Sequence, residues 1–408
     1  MAVIAPFKAL RPQAQYAKQV ASPPYDVLNS KEAKEEARGN PYSFLHITKA
    51  EIDLADSVDV HNVEVYEKAK DNLHAFMQRE VLFKENKACY YIYRLTMNGK
   101  SQTGLVCTSA VDDYEHDVIK KHEFTRPEKE KDRINHITTT GAQTGNVFLA
   151  YKNVEELDRL IEKWATEKSP VYDFVADDGI SHTIWIVTDD KIINTITTIF
   201  KDKVKATYIA DGHHRAASAA KVRLSANGNT EEAAYFLTTL FPASQLHIMD
   251  YNRVVKDLNG LGKEDFLKRI GEKFDIKAND KEAFSPNNLH EIGMYIDREW
   301  FALTAKQGTY TEDPIGVLDV TILQNNLLDS ILGIKDPRTD KRIDFVGGIR
   351  GLKELEKRVD SGEMKVAFSL YPVSIQQLFD IADSGNVMPP KSTWFEPKLR
   401  DGLLTHLI

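Results

Sequence analysis

Tyr208-Ile209-Ala210-Asp211-Gly212-His213-His214-Arg215 places a carboxylate, two imidazoles and a guanidinium in the turn between a strand and a helix. Val204, Ala206 and Tyr208 alternate with polar residues as a strand does, whereas Ala216, Ala217, Ala219, Ala220 and Val222 form a run of high helix propensity, with Asn227-Gly228 as its stop. The new helix exposes its first unpaired N–H groups at Asp211-Gly212, glycine lets the backbone approach closely, and Arg215 stands one turn on. Such a turn suits an anion: a phosphate there gains about 0.3–1 kcal/mol from the helix dipole, and more from a bidentate arginine. Two plainer readings compete. Asp211 alone is a cap worth about 1 kcal/mol, but two adjacent histidines followed by arginine have no capping purpose. Aspartate and histidine also ligate zinc, yet adjacent imidazoles point apart, and neither a helical HExxH pair nor a cysteine pair completes a set.

The Asp-Gly-His-His-Arg string after a short strand resembles the signature of the ParB/sulfiredoxin-like superfamily, and in its histidine-rich form is similar to that of the free serine kinases. The resemblance implies a core of mixed sheet and helices in which this turn holds nucleotide phosphates. The kinases also carry an upstream His-Glu pair whose glutamate acts on the serine hydroxyl. Lys120-Lys121-His122-Glu123-Phe124-Thr125 offers Glu123 at the matching position, followed by Arg126 and Asp132-Arg133. Val147 to Thr207 intervenes between the two motifs, a longer separation than the short kinases have. From Pro23-Pro24-Tyr25-Asp26-Val27 to Met388-Pro389-Pro390-Lys391-Ser392-Thr393-Trp394-Phe395, the chain resembles a long bacterial and archaeal domain-of-unknown-function family. Its members are often encoded beside serine-biosynthesis enzymes, which implies serine or phosphoserine as substrate.

A chain of 408 residues that is 42% hydrophobic is long enough for two or three cores. Its net charge of −8 argues against coating nucleic acid, because lysine and arginine carry that binding. Cys89 and Cys107 occupy strand-like positions without a CxxC pair, as buried thiols in a reducing cytoplasm would. The N-terminus lacks a basic leader with an apolar core, and no uninterrupted apolar stretch reaches about 18 residues, so a cytoplasmic protein without a membrane span is expected.

The elements that must position these groups follow from periodicity. Residues 62–80 set Val65, Ala69, Leu73 and Phe76 on one helical face. Residues 88–96 and 102–111 are β-rich runs joined across Asn98-Gly99, a strong hairpin signal, and the Tyr90–Tyr93 run reads as sheet packing. Residues 155–166 predict a helix and 183–187 a buried strand. The charged run from Arg126 to Arg133 reads as a loop bearing Arg126, Lys129, Lys131 and Arg133, either a solvated face or a lid over phosphates. Residues 138–146 are rich in hydroxyls and glycine but form no Walker loop.

Beyond Phe241-Pro242, residues 247–255 read as a strand carrying an exposed Arg253. Residues 264–274 and 281–292 resemble helices, with the 259–262 turn as hinge and a domain boundary near 260. Helices are predicted at 317–332, 352–359 and 375–384, and a strand at 365–371. Strands and helices alternate throughout, so the class is mixed α/β: a ParB/sulfiredoxin-like nucleotide and substrate domain over 1–260, and a smaller α/β module over 261–408 that contributes loops to the site.

The leading reading is a kinase or phosphotransferase moving phosphate between ATP or ADP and the hydroxyl of free serine or phosphoserine, with homodimer formation left open. Glu123 is the expected base. Gly212, His213, Arg215 and Arg133 would hold phosphate, with His214 beside them in the chemistry, and Asp211 would position Mg²⁺ or a neighbouring group. Tyr25, Asp26, Arg126 and Lys391, on rigid or charged loops, are candidates for substrate contact. The alternative is a nucleotide-binding regulatory protein whose output is conformational.

Overall fold

Asn98 and Gly99 carry φ of +52° and +75°, both left-handed, and so close a two-residue turn that only such a pair adopts cheaply. The hairpin they join is the middle of the largest sheet. The computed structural model describes residues 1–225, 230–279 and 282–408; the Asn227-Gly228 stop lies outside them. Two compact units emerge: Met1–Leu246 together with Pro397–Ile408, and His247–Glu396.

In the first unit nine strands form one mixed sheet: β1 (Ile4–Ala5), β2 (Tyr90–Met97), β3 (Lys100–Ala110), β4 (Ile119–Lys120), β5 (Val147–Tyr151), β6 (Tyr172–Val175), β7 (Ser181–Val187), β8 (Thr207–Asp211) and β9 (Tyr235–Pro242). Their order is β4-β8-β5-β9-β3-β2-β7-β6, with β1 also on β3. β8 runs parallel to β4 and β9 parallel to β5, and the remaining pairs are antiparallel. The longer helices are α1 (Val63–Gln78), α2 (Pro127–Thr140), α3 (Glu155–Glu167), α4 (Asp190–Lys203) and α5 (His213–Leu224). The fold is mixed α/β, as the alternation of elements predicts.

The core explains the apolar spacing. Tyr90, Ile92, Leu105 and Leu149 of the sheet pack with Leu157 and Ile161 of α3, Ile196 and Phe200 of α4, and Ala216 and Ala219 of α5. Burying each of the leucine, isoleucine and phenylalanine side chains is worth about 1.5–3 kcal/mol. Leu73 and Phe76 of α1 pack in a second cluster with Leu10, Phe44 and Ile47. Both cysteines are buried and unbridged, and Tyr90, Tyr91 and Tyr93 are fully buried in sheet packing.

Residues 126–133 are not a loop. Pro127 occupies the first turn of α2, Glu128 and Glu130 follow it, and Gly141 at φ +65° ends the helix. A proline that needs no N–H there and acids at the positive dipole end are helix-start chemistry, which the high charge of the run obscured.

The second unit has a six-stranded sheet: β10 (Tyr251–Val255), β11 (Phe274–Asn279), β12 (Glu291–Ile296), β13 (Glu299–Ala305), β14 (Ile343–Gly347) and β15 (Val366–Leu370), in the order β11-β13-β12-β15-β10-β14. Helix α6 (Lys263–Ile270) ends at Gly271, short of the expected 274, where Phe274 opens β11, whereas α7 (Leu352–Asp360) and α8 (Ile375–Asp383) match their periodicity. The helix expected over 281–292 does not form: residues 282–290 are irregular and Glu291 opens β12, whose central residues are paired on both sides. The 317–332 segment is α-helical from Asp319 to Leu323 and continues as a π-helix over Gln324–Asp329. Arg253 is buried, not exposed: its guanidinium donates to the carbonyls of Tyr251, Pro390 and Lys391. The 259–262 turn lies within this unit. Among the described residues no helix is long and apolar enough to cross a membrane.

Candidate functional site

β8 ends on Asp211, and Gly212 turns the chain into α5 at φ +99°, a conformation that favours glycine. A Cβ there would lie 3.2 Å from Arg215 Nε and 3.4 Å from Val147 Cα, so the glycine also lets Arg215 fold back against the turn. The Arg215 side chain is 8% exposed. Nη1 donates to the Asn146 carbonyl, while Nη2 stands 3.5 Å from Asp26 Oδ2 and 3.6 Å from Asp211 Oδ1. Nε and Nη2 are buried and have no hydrogen-bond partner. Burial opposes the charge of Arg215, but Asp26, Asp211 and Asp401 outweigh it and hold the group protonated. A buried donor left unmade costs about 1–3 kcal/mol, and more when charged. An oxyanion at this turn would satisfy it.

Asp211 is held by cations. Lys398 Nζ donates to its Oδ2 at 3.1 Å, and although burial alone would raise its pKa, Lys398 and Arg215 keep the carboxyl well below the usual range. A divalent ion beside two cations would be repelled. The expected Mg²⁺ role therefore does not fit Asp211, which serves Lys398 and Arg215 as counter-ion. Among the described residues no three His, Cys, Asp or Glu side chains gather as a metal site.

The two histidines act on the loop before α2. The His122 N–H donates to His213 Nε2 at 3.4 Å, and the Arg126 N–H donates to His214 Nε2 at 3.0 Å. The pair thus pins the 122–126 loop on both sides of Glu123. In the neutral form each ring, accepting at Nε2, carries its proton on Nδ1. His213 Nδ1 lies 3.8 Å from Glu123 Oε2, and the Glu123 side chain is 41% exposed. Burial, then His122, lowers the pKa of His213 well below the ordinary value, and burial lowers that of His214 with Arg126 adding to it. His122, edge-on to His213 at 4.5 Å between centroids, is pushed down to about 4 by burial. At neutral pH all three rings are uncharged.

Arg133 projects from α2 with its guanidinium 3.9 Å above the Tyr25 ring and paired with Asp132 at 2.7 Å. Tyr25, Arg133 and Arg215 share a cleft of about 390 Å³, counted to its open mouth, with Gly145 and the apolar Ile137 and Phe236. The first unit thus brings together Tyr25, Asp26, Glu123, Arg133, Asp211, Gly212, His213, His214 and Arg215. Arg126 contributes its backbone N–H, while its guanidinium is solvent-exposed 3.9 Å from Glu128. With Lys129 and Lys131 it belongs to a helix start rather than a mobile lid. Lys391 lies in the second unit, its ammonium 5.7 Å over the Tyr251 ring.

Two residues missed in the sequence belong to the site: Lys398 and Asp401. The segment from Pro397 onward returns to the first unit, where Ser22 and Asp401 exchange backbone hydrogen bonds at 3.1 and 2.9 Å. Asp401 is 1% exposed and its Oδ2 has no hydrogen-bond partner. Burial pushes its pKa up to about 7 despite Arg215. Since the folded value exceeds the unfolded one, folding favours the neutral carboxyl, and its contribution to stability is greatest at low pH and is lost as pH rises towards 7. Each pH unit of that interval is worth about 1.4 kcal/mol. Asp401→Asn should therefore raise the melting temperature more at pH 8 than at pH 5 in thermal denaturation. Equal shifts would show a carboxyl ionised throughout.

The family described as protein of unknown function (DUF1015) matches residues 4–321. No curated protein matches the chain. Among solved structures, a free serine kinase in complex with AMP is similar at 14% identity, over 74% of this chain and 92% of its own, with a TM-score of 0.36. A conserved hypothetical protein from Pyrococcus furiosus matches at 14% identity over 74% and 94%, TM-score 0.36. SbnI with C-terminal truncation from Staphylococcus aureus matches at 11% over 72% and 85%, TM-score 0.33.

Proposed function

We propose that this chain, which belongs to the DUF1015 family, is a nucleotide-dependent phosphotransferase that phosphorylates the hydroxyl of free serine or, in the reverse direction, takes the phosphoryl group from phosphoserine. Its first unit would be a ParB/sulfiredoxin-like core. The observation that carries the reading is Arg215: a buried guanidinium with two donors unmade, folded against a left-handed glycine at the start of a helix. That combination supplies charge and N–H groups for phosphate oxygens, which positioning-dominated phosphoryl transfer requires.

A nucleotide bound at the turn supplies the phosphoryl group or accepts it. The chain does the rest. Arg215 and the backbone at Gly212 hold the oxyanion, and Asp211 and Lys398 keep the guanidinium in place. Glu123, on a loop pinned by His213 and His214, accepts the proton of the acceptor hydroxyl. Arg133 stacked on Tyr25 forms the cationic side of the cleft. Asp26 reads the substrate ammonium, and Arg126 its carboxylate. Any Mg²⁺ would enter on the nucleotide phosphates.

Phosphorus NMR of the purified protein with ATP or ADP, magnesium and L-serine tests this directly. A phosphomonoester signal that requires serine is the expected result. Alanine should give none, and N-acetylserine little, because a site matched to hydroxyl, carboxylate and ammonium rejects analogues lacking one by up to about 10⁴–10⁵. Serine performing no better than glycerate, homoserine or water would remove the serine assignment. Nucleotide binding without any transfer would favour the regulatory reading.

A further inference from the structure

The second unit carries a cleft of its own, about 290 Å³ counted to its open mouth, lined by Asp319 and Ser392, by the aromatic Tyr251 and Tyr371, and by apolar residues including Leu318 and Val373. Asp319 is 4% exposed. Its Oδ1 accepts the His290 N–H at 2.7 Å, and its Oδ2 is buried without a hydrogen-bond partner. His290 Nε2 and Thr321 Oγ1 are also buried and unpartnered.

His290 adopts φ +70°, a conformation costly for a residue with a side chain, and in doing so presents its N–H to Asp319. Strain of that kind persists where the surroundings require a particular geometry. The charge that acts on Asp319 is the Glu291 carboxylate, and burial with that neighbour raises the Asp319 pKa to about 7. A buried acceptor beside a second anion, in a cleft with aromatic and apolar walls, lacks a donor that is preferably cationic.

We propose that this cleft binds a small molecule bearing a primary ammonium group on an apolar body, with the ammonium completing Asp319 Oδ2. The apolar walls would cover the body, and the tyrosine rings favour the positive end. Among the residues that line this cleft the one charged side chain is Asp319, a carboxylate that does not suit phosphate.

Ligand-observed NMR titration of the full-length protein with benzylammonium and butylammonium, against benzyl alcohol and butanol, provides the test. The ammonium probes should bind at least about tenfold more tightly than the alcohols, the ratio expected for loss of one charge-assisted hydrogen bond. Asp319→Asn should abolish that preference while leaving ATP binding unchanged. Equal binding of amines and alcohols by the wild type, or an undiminished preference in Asp319→Asn, would overturn the proposal. If Asp319→Asn fails to fold, the wild-type comparison is repeated with excess L-serine: an ammonium preference that persists supports this cleft, and one that disappears assigns the amine to the first unit and overturns it.

Discussion

Replacing Glu123 by glutamine is expected to lower turnover by about 10²–10⁴-fold while nucleotide affinity stays near that of the wild type. The amide keeps the shape of the side chain but cannot accept a proton. Glu123 stands outside the group that holds Arg215, so its exchange leaves the anion turn intact. The neutral His213 ring, with its Nε2 taken by the His122 N–H, faces glutamine as readily as glutamate. Steady-state kinetics with serine as acceptor, paired with calorimetric nucleotide titration, separate the two effects. Near-normal turnover would remove Glu123 from the chemistry. A large loss of nucleotide affinity would instead show that the carboxylate acts in binding.

Arg215→Ala should weaken nucleotide binding by about 10- to 150-fold, the equivalent of roughly 1.5–3 kcal/mol for a desolvated charge-assisted contact. It should also destabilise the fold, because Asp26, Asp211 and Asp401 then lose their shared cation. Arg215→Lys separates the two consequences. Lysine keeps a charge among the carboxylates but lacks the planar fork that meets both Asn146 and an oxyanion, so stability should recover more than affinity does. Unchanged nucleotide binding by calorimetry in a folded Arg215→Ala or Arg215→Lys protein would exclude the turn from the site.

Local chemistry in the sequence was enough to find the turn itself. A strand ending in Asp211, a glycine that alone tolerates φ +99°, and an alanine-rich helix are consecutive, and each is specified by neighbours within a few residues. The same holds for the Asn98-Gly99 hairpin and for the buried face of α1. The α2 start is equally local, with Pro127 and two acids after it, but the charge density of the run masks it. The helix expected at 281–292 is absent for a different cause: residues 282–290 are irregular, and Glu291 and Ile292 open a strand that takes its conformation from hydrogen bonds to β13 and β15, which helical spacing does not reveal.

Neighbouring residues along the chain thus specify which groups carry the anion chemistry and the local conformation that presents them. The tertiary structure alone decided their company. Lys398 reaches Asp211 across 187 positions, and Asp401 enters because the C-terminal segment pairs with Ser22 and with Leu10. The histidines became staples for the Glu123 loop only because β4 and β8 run side by side and bring residues 122–126 against the start of α5. Arg253, polar on an apolar strand, is buried because three carbonyls converge on it. Contacts of this kind join groups far apart in the chain, and their energies depend on burial and on neighbouring charge, quantities that exist only after the sheet has formed.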